Sequence, residues 1–570
     1  MNAKKRQTKM RLSLLFYFLL ICLVAVFSKL VKVQAMDAKK YEEMAVGQRI
    51  TDHELTPDRG SIYDRNGEIL ALSTDMDTVF VTPYQIKKKW KSAKKIAAIL
   101  GESTDTIFEK LDSDNGFAYL ARKIDKEKAD KLKELNIEGL GFVKESKRQY
   151  PLGRLASHII GFVGLDNIGL SGLEIQYDNK LKGKPGKVIT EQDINGYPIP
   201  GGKNTFIPST NGSQLILTID KEIQYKAELE LSAAIEKYEA KGGNIIVMDP
   251  KSGEIYAMAS LPDFDLNDFS NSESENFRNT AVTDVYEPGS TMKIITATAI
   301  LEEKLFSPDS KFMLPGSINI GGWLIKEAHG RGTEEFTLSS IVTRSSNVGA
   351  THIGKVLGKE RMIKYIKRFG LNSPTNIDLP GESIGSLLPA DLWSKSTIAT
   401  VSFGQGTSVT SIEMIRAFSV IANHGVAVRP HLVDQIVSTR GKRTSLASED
   451  SNVQVVSPRT ASLMTEIMED AVGTGTGKNA QIEGYSVAGK TGTAQKPNTD
   501  KPGYSGYIGS FIGYAPAKDP AIAILVTIDE PKGAIYGGVV AAPVFSSVGE
   551  FALQRLKVTP DQVDKGDKQQ

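Results

Sequence analysis

The chain has a single cysteine, Cys22, among 570 residues. A lone thiol excludes an intrachain disulfide and any cysteine-ligated metal site. Histidine is sparse as well. The six histidines, at 53, 158, 329, 352, 424 and 431, include no pair at metal-binding spacing. Neither a metal nor another cofactor is expected. The formal charge is +2, from 69 basic and 67 acidic side chains. That balance is too even for a nucleic-acid binder. No internal repeat is present. Gly473–Lys478 imitates a phosphate loop, but Val472 stands where the first glycine of G-x-x-x-x-G-K belongs. Asn479 replaces the Ser/Thr as well, so the segment reads as a flexible turn.

One strongly apolar run exists, the 17 residues Leu12–Ser28. It is at the short end for a membrane-spanning helix, and Arg11, Lys29 and Lys32 extend it by snorkelling. Lys4, Lys5, Arg6, Lys9 and Arg11 precede it with no acid among residues 1–11. The positive-inside rule then puts residues 1–11 in the cytoplasm, an anchor at 12–29, and everything after it outside. The competing reading is a cleaved leader. Val33-Gln34-Ala35 is a passable cleavage site, but it lies past the run and beyond two lysines.

The remaining chain is long enough for several domains. Residues 30–56 read as a mostly helical stalk, the start of a pedestal spanning 30–240. Asp64-Arg65-Asn66-Gly67 between apolar β-formers marks a hairpin. Residues 85–137 are lysine-rich and helix-like, a solvated face. Residues 148–164 and 169–186 are turn-rich, and 195–213 read as a loop or linker. From Gly243 the texture changes. Asn244–Met248 and Glu254–Ala259 flank Asp249-Pro250-Lys251-Ser252-Gly253, a strong antiparallel hairpin. The catalytic domain is placed at 241–556. Helices dominate to about 470, strands return at 486–493, 510–514 and 522–528, and a helix near 543–556 covers the sheet. Residues 557–570 are polar and read as a disordered tail.

Chemistry is carried by three ordered motifs: Ser290-Thr291-Met292-Lys293, Ser345-Ser346-Asn347 and Lys490-Thr491-Gly492-Thr493. S-x-x-K recurs at Ser92/Lys95, inside a solvated basic run that leaves its lysine charged. Ser290 instead follows Pro288-Gly289 and opens a stretch to Leu301 that is apolar nearly all round, which suits a buried helix. Residues three apart share a helix face, so Lys293 lies one turn from Ser290. Desolvation favours the neutral amine, and a neutral amine beside a hydroxyl can take its proton. A helix start also aims free N–H groups at developing negative charge. Taken singly, the three motifs read as a helix cap with a snorkelling lysine, another cap, and a strand end. Their order and separation favour acyl transfer through serine without histidine. Gly492 leaves the strand open to a ligand backbone, and Lys490 suits an anionic ligand.

With these motifs, the Arg59–Ala71 block and one N-terminal anchor, the chain resembles a class B penicillin-binding protein of the division and sporulation (FtsI-like) branch. Further matching segments are Tyr286–Lys293, Ser402-Phe403-Gly404-Gln405-Gly406, Ala422-Asn423-His424-Gly425 and Ala488–Ala494. The resemblance implies an α+β transpeptidase fold of the serine β-lactamase type. Its antiparallel sheet would be flanked by helices and joined to a helical domain, an elongated pedestal and one transmembrane helix. It implies a D,D-transpeptidase that cross-links peptidoglycan stem peptides. Ser290 would be the nucleophile and Lys293 its base. Ser345 would relay the proton, helped by Lys490, and Asn347 would bind the substrate amide and orient Lys293. Lys490, Thr491, Gly492 and Thr493 would hold the substrate carboxylate. The backbone N–H groups of Ser290 and Thr493 would form the oxyanion hole. The implied ligands and partners are stem peptides, lipid-linked nascent glycan, β-lactam antibiotics, a membrane glycosyltransferase of the SEDS type, and divisome or sporulation proteins. Alternatives stay open at this point: a β-lactam hydrolase or sensor, a D,D-carboxypeptidase, or a non-catalytic scaffold. A hydrolase needs a base for deacylating water, and the sequence marks no glutamate for that role.

Overall fold

The computed structural model describes residues 2–113, 116–191, 204–446, 453–497 and 503–562. It divides into two compact units: residues 1–57 with 184–210, and 58–183 with 211–570.

In the first unit the apolar run lies in a helix, Asn2–Val31, which passes through a π turn, Lys32–Met36, into a second helix, Ala38–Arg49. The segment Lys5–Met36 is long and apolar enough to cross a membrane. Its large side chains, Phe16, Phe18, Ile21 and Leu23 among them, are exposed. The stalk is not helical throughout. Ile50–Leu55 is a strand, paired antiparallel with Gly186–Glu191, which pairs in turn with Asn204–Ile207. The strand's partner lies more than 130 residues away in sequence, beyond the reach of a local pattern. Of the linker expected at 195–213, residues 192–203 lie outside the described residues.

The second unit holds the pedestal core and the catalytic domain. Strands Ile62–Tyr63 and Ile69–Val81 form the expected hairpin. Asp64 fixes the turn by accepting from the N–H groups of Asn66 and Glu68, each at 2.8 Å. Gly67 supplies its left-handed residue at φ +87°. Ile69–Val81 pairs on to Ala118–Ile124 and Leu140–Gln149, and the lysine-rich stretch adds helices Lys89–Leu100, Thr104–Leu111 and Lys126–Glu134. The turn-rich stretches are tied to the hairpin by buried charge. Arg59 Nε lies 2.5 Å from Glu174, and Arg148 Nε lies 2.7 Å from the same carboxylate. The sheet continues through Gln214–Leu217 into Val433–Val437 of the catalytic region, so pedestal and catalytic strands share one ladder.

The catalytic sheet is built from β1 (Gly242–Met248), β2 (Ile255–Leu261), β3 (Ala488–Pro497), β4 (Tyr504–Ala515) and β5 (Ile522–Asp529). Their order is β2-β1-β5-β4-β3, antiparallel throughout. Helices α1 (Lys221–Lys237), α2 (Met292–Glu302), α3 (Asn347–Leu357), α4 (Ser411–Ala422) and α5 (Ala542–Arg555) surround it. Alternate residues of a strand point to opposite faces. Ile245, Val247, Ile524 and Val526 therefore pack with Ile223, Leu231, Phe545 and Val548 of α1 and α5. Ile246, Met248, Ala523 and Leu525 join the core that holds Ile294, Ile295 and Phe418 of α2 and α4. Burial on both faces explains why β1 reads as a continuous apolar run.

Three features add to the expected layout. Helix α1 precedes the expected domain start at 241, and its buried face belongs to the catalytic sheet's core. The helical region contains two inserted hairpins, Lys311–Leu314 with Glu334–Thr337 and Ser317–Ile320 with Trp323–Lys326. The tail is anchored through residue 562: Asp561 accepts from the Ser486 N–H at 2.7 Å, and the Tyr485 hydroxyl donates to Val558 O at 2.7 Å. Residues 563–570 lie outside the described residues.

Candidate active site

Ser290 is half-buried in a tight 3-10 turn, Gly289–Thr291, that runs directly into α2. The turn is held by backbone contacts only glycine permits. Gly289 has φ +54° and donates its N–H to Gly404 O at 3.0 Å. A Cβ on Gly404 would lie 2.1 Å from Gly289 O. The segment Ser402–Gly406 is thereby locked against the turn, and Glu287 accepts the Gly406 N–H at 2.8 Å. On the other side a Cβ on Gly289 would meet Thr493 O at 3.1 Å, and one on Gly492 would meet Thr291 Cγ2 at 3.2 Å. Strand β3 thus lies against the turn that carries Ser290.

Every residue of α2 from Met292 to Leu301 is buried, Lys293 completely. The buried hydroxyls of the helix are satisfied: Thr298 donates within the helix to Ile294 O at 2.7 Å, and Thr296 donates across to Ser402 O at 3.0 Å. Among the described residues, no carboxylate lies within hydrogen-bond range of Lys293. Its Nζ lies 2.6 Å from Ser345 O, 2.8 Å from Asn347 Oδ1 and 3.1 Å from Ser345 Oγ. Two of these partners only accept, so they take the two N–H bonds of a neutral amine. The lone pair is then left to face the Ser345 hydroxyl. Burial pushes the Lys293 amine well below the usual lysine range, the Lys490 charge pushes it further, and Glu327 acts in the opposite sense.

Lys490 is also fully buried, on the edge strand β3, and burial lowers it to about 7. Its Nζ donates to Thr491 O and Oγ1, each at 3.2 Å. The Thr491 hydroxyl is shared with Thr476 at 2.8 Å, which places the phosphate-loop lookalike against β3 as a packed turn. Thr493 Oγ1 accepts the Gly537 N–H at 3.2 Å.

The structure therefore brings Ser290, Lys293, Ser345, Asn347, Lys490, Thr491, Gly492 and Thr493 into one region, where the α2 turn, the start of α3 and β3 meet. The second S-x-x-K pair is elsewhere, on the helix Lys89–Leu100, with Lys95 exposed. Sequence reasoning missed Glu327 and Arg331. Glu327 accepts from Ser346 Oγ at 2.6 Å, Asn347 N at 2.7 Å and Arg331 Nη2 at 2.7 Å. No motif flags this pair, because its partners come together only in the fold.

Comparison with known proteins agrees with this geometry. The family model described as the penicillin binding protein transpeptidase domain matches residues 243–550. The one described as the penicillin-binding protein dimerisation domain matches residues 54–217. The chain is 37% identical to stage V sporulation protein D of Bacillus subtilis, over 99% of this chain and 89% of that one. It is 31% identical to the peptidoglycan D,D-transpeptidase FtsI of Escherichia coli, over 98% and 94% of the two chains. The crystal structure of penicillin binding protein 3 from Mycobacterium tuberculosis complexed with aztreonam superimposes with a TM-score of 0.71. It is 29% identical and covers 90% of this chain and 98% of that one. Motif order, site geometry and full-length similarity lead to one assignment: the chain belongs to the class B penicillin-binding proteins, with a transpeptidase domain and a penicillin-binding-protein dimerisation domain.

Proposed function

We propose that this chain cross-links peptidoglycan as a serine-type D,D-transpeptidase through an acyl-Ser290 intermediate that β-lactams also form. The observation that carries the reading is the buried Lys293 amine, held by Ser345 and Asn347 with no acid among the described residues bonded to it. Ser290 Oγ attacks the carbonyl of the penultimate D-Ala while Lys293 takes its proton. The C–O bond forms and the C–N bond to the terminal D-Ala breaks. The leaving amine receives its proton through Ser345. The oxyanion rests on the N–H groups of Ser290 and Thr493. The amine of a second stem then attacks the acyl carbon, forming the cross-link and freeing Ser290. Lys490, at about 7, is poised to become fully charged when a substrate carboxylate arrives. Thr491, Gly492 and Thr493 line the same binding edge.

The basic N-terminus before the apolar helix supports a cytoplasmic N-terminus and a catalytic domain outside. The partners proposed are lipid-linked nascent glycan, a SEDS-type membrane glycosyltransferase and divisome or sporulation proteins, in septal or spore wall synthesis. The similarity to a sporulation protein and to FtsI supports this range.

The test is partitioning of the acyl-enzyme. A pentapeptide stem and an amino-acceptor peptide are incubated with the detergent-solubilised chain, and products are separated by mass spectrometry. A cross-linked dimer with stoichiometric D-Ala release is expected. D-Ala release with water as the sole acceptor would make the protein a carboxypeptidase and refute the proposal.

A further inference from the structure

We propose that Glu327 is a positioning residue for acylation: its carboxylate fixes the Ser345–Asn347 segment in the conformation that aims Lys293, and it supplies a negative charge facing that amine. The inference rests on the transpeptidase reading and specifies how its base is held.

Ser345 sits at φ +58°, a left-handed conformation that a residue with a Cβ adopts only under constraint. That conformation turns both the carbonyl and the hydroxyl of Ser345 toward Lys293 Nζ. The constraint comes from the two residues that follow. Glu327 Oε1 accepts from Ser346 Oγ, and Oε2 accepts from Asn347 N, so one carboxylate grips consecutive residues. Ser346 also caps α3 by accepting the Gly349 N–H at 2.8 Å. Asn347 is oriented from the same side, because its Nδ2 donates to Lys326 O at 3.0 Å. With the amide nitrogen so engaged, Oδ1 faces Lys293.

The carboxylate itself does not wander. Arg331 donates to it, and also to Leu314 O at 2.7 Å and Gly332 O at 2.9 Å. The Arg331 guanidinium lies over the Phe336 ring at 4.4 Å. Both side chains of the pair are at least nine-tenths buried. Glu327 accepts from three donors, one of them the Arg331 guanidinium. Two charges face Lys293 from the elements around it: Lys490 from β3 and Glu327 from the segment after Trp323–Lys326. Arg331 offsets the second of these.

The test uses the detergent-solubilised full chain and the pH dependence of penicillin acylation. Glu327→Gln keeps the shape but loses one acceptor and the charge. Acylation is expected to fall about tenfold to a hundredfold, the penalty for a slightly misplaced catalytic group. The acid limb of the profile is expected to move to lower pH, because an amine without its facing anion holds a proton less well. Arg331→Met leaves the anion uncompensated, so its limb should move to higher pH. Glu327→Asp keeps the charge with a shorter reach and should slow acylation with little movement of the limb. Limbs that stay put, or that move together in Glu327→Gln and Arg331→Met, would overturn the proposal. A rate loss matched by an equal loss of near-UV circular dichroism would reduce Glu327 to a structural role. Should Glu327→Gln fail to fold, the upward shift in Arg331→Met decides alone. Absence of any adduct in the wild type, or an adduct retained in Ser290→Ala, would instead break the transpeptidase reading.

Discussion

Replacing Lys490 with methionine should stabilise the protein while abolishing its capture of anionic substrates. Lys490 is fully buried, its partners among the described residues are Thr491 oxygens alone, and burial takes it from the ordinary 10.5 to about 7. In the unfolded chain the same amine titrates at its ordinary value. Between these values the unfolded chain holds a proton that the folded chain lacks, so stability rises with pH across that window. The cost of burying the amine is then about 4 kcal/mol at pH 7 and about 2 kcal/mol at pH 9. Methionine has similar length and no such cost. Losing the Lys490 charge also relieves part of the depression of Lys293, which acts in the same direction. Lys490→Met should therefore exceed wild type in stability at pH 7, with an advantage that shrinks by about 2 kcal/mol at pH 9. Urea unfolding of the detergent-solubilised chain at the two pH values, followed by intrinsic fluorescence, measures the difference. An advantage that is absent at pH 7, or that grows toward pH 9, would refute the argument.

Gly404→Ala should cripple acylation: its φ is +83° and the new Cβ would fall 2.1 Å from Gly289 O, displacing the turn beside Ser290. A stability loss of about 1–3 kcal/mol should accompany it, read as a lower melting temperature. Glu174→Gln leaves Arg59 and Arg148 without their shared buried carboxylate and should cost about 3–5 kcal/mol by urea unfolding, without changing the acylation rate of the folded fraction. Deleting residues 1–29 should release a soluble chain that still binds penicillin. Membrane association that survives the deletion would contradict a single anchor.

What the sequence made legible were features written locally. The hairpin around Asp249–Gly253 announces itself by turn chemistry between apolar runs. The α2 stretch is apolar on every side, and the structure buries it on every side. The spacing from Ser290 to Lys293 needs only one helical turn. What stayed hidden depends on distant chain. Strand Ile50–Leu55 exists because residues 186–191 pair with it. Helix α1 looks like the end of the pedestal in sequence order, yet its apolar face completes the catalytic core. Asp561 is one acid in a polar tail until Ser486 gives it two donors. Thr491 was expected at the substrate, and its hydroxyl is also shared with Thr476 from a segment that the sequence reads as a loose turn. Glu327 is one of many acids among 67, and only the fold shows that it grips the S-x-N motif.

The most direct test is intact-mass analysis of the full chain after incubation with penicillin, followed by peptide mapping. The account predicts one adduct carrying the whole mass of the antibiotic, located on Ser290, stable over the time of analysis, and missing from both Ser290→Ala and Lys293→Ala when those variants remain folded. An adduct on any other residue, or undiminished labelling of Lys293→Ala, would contradict it.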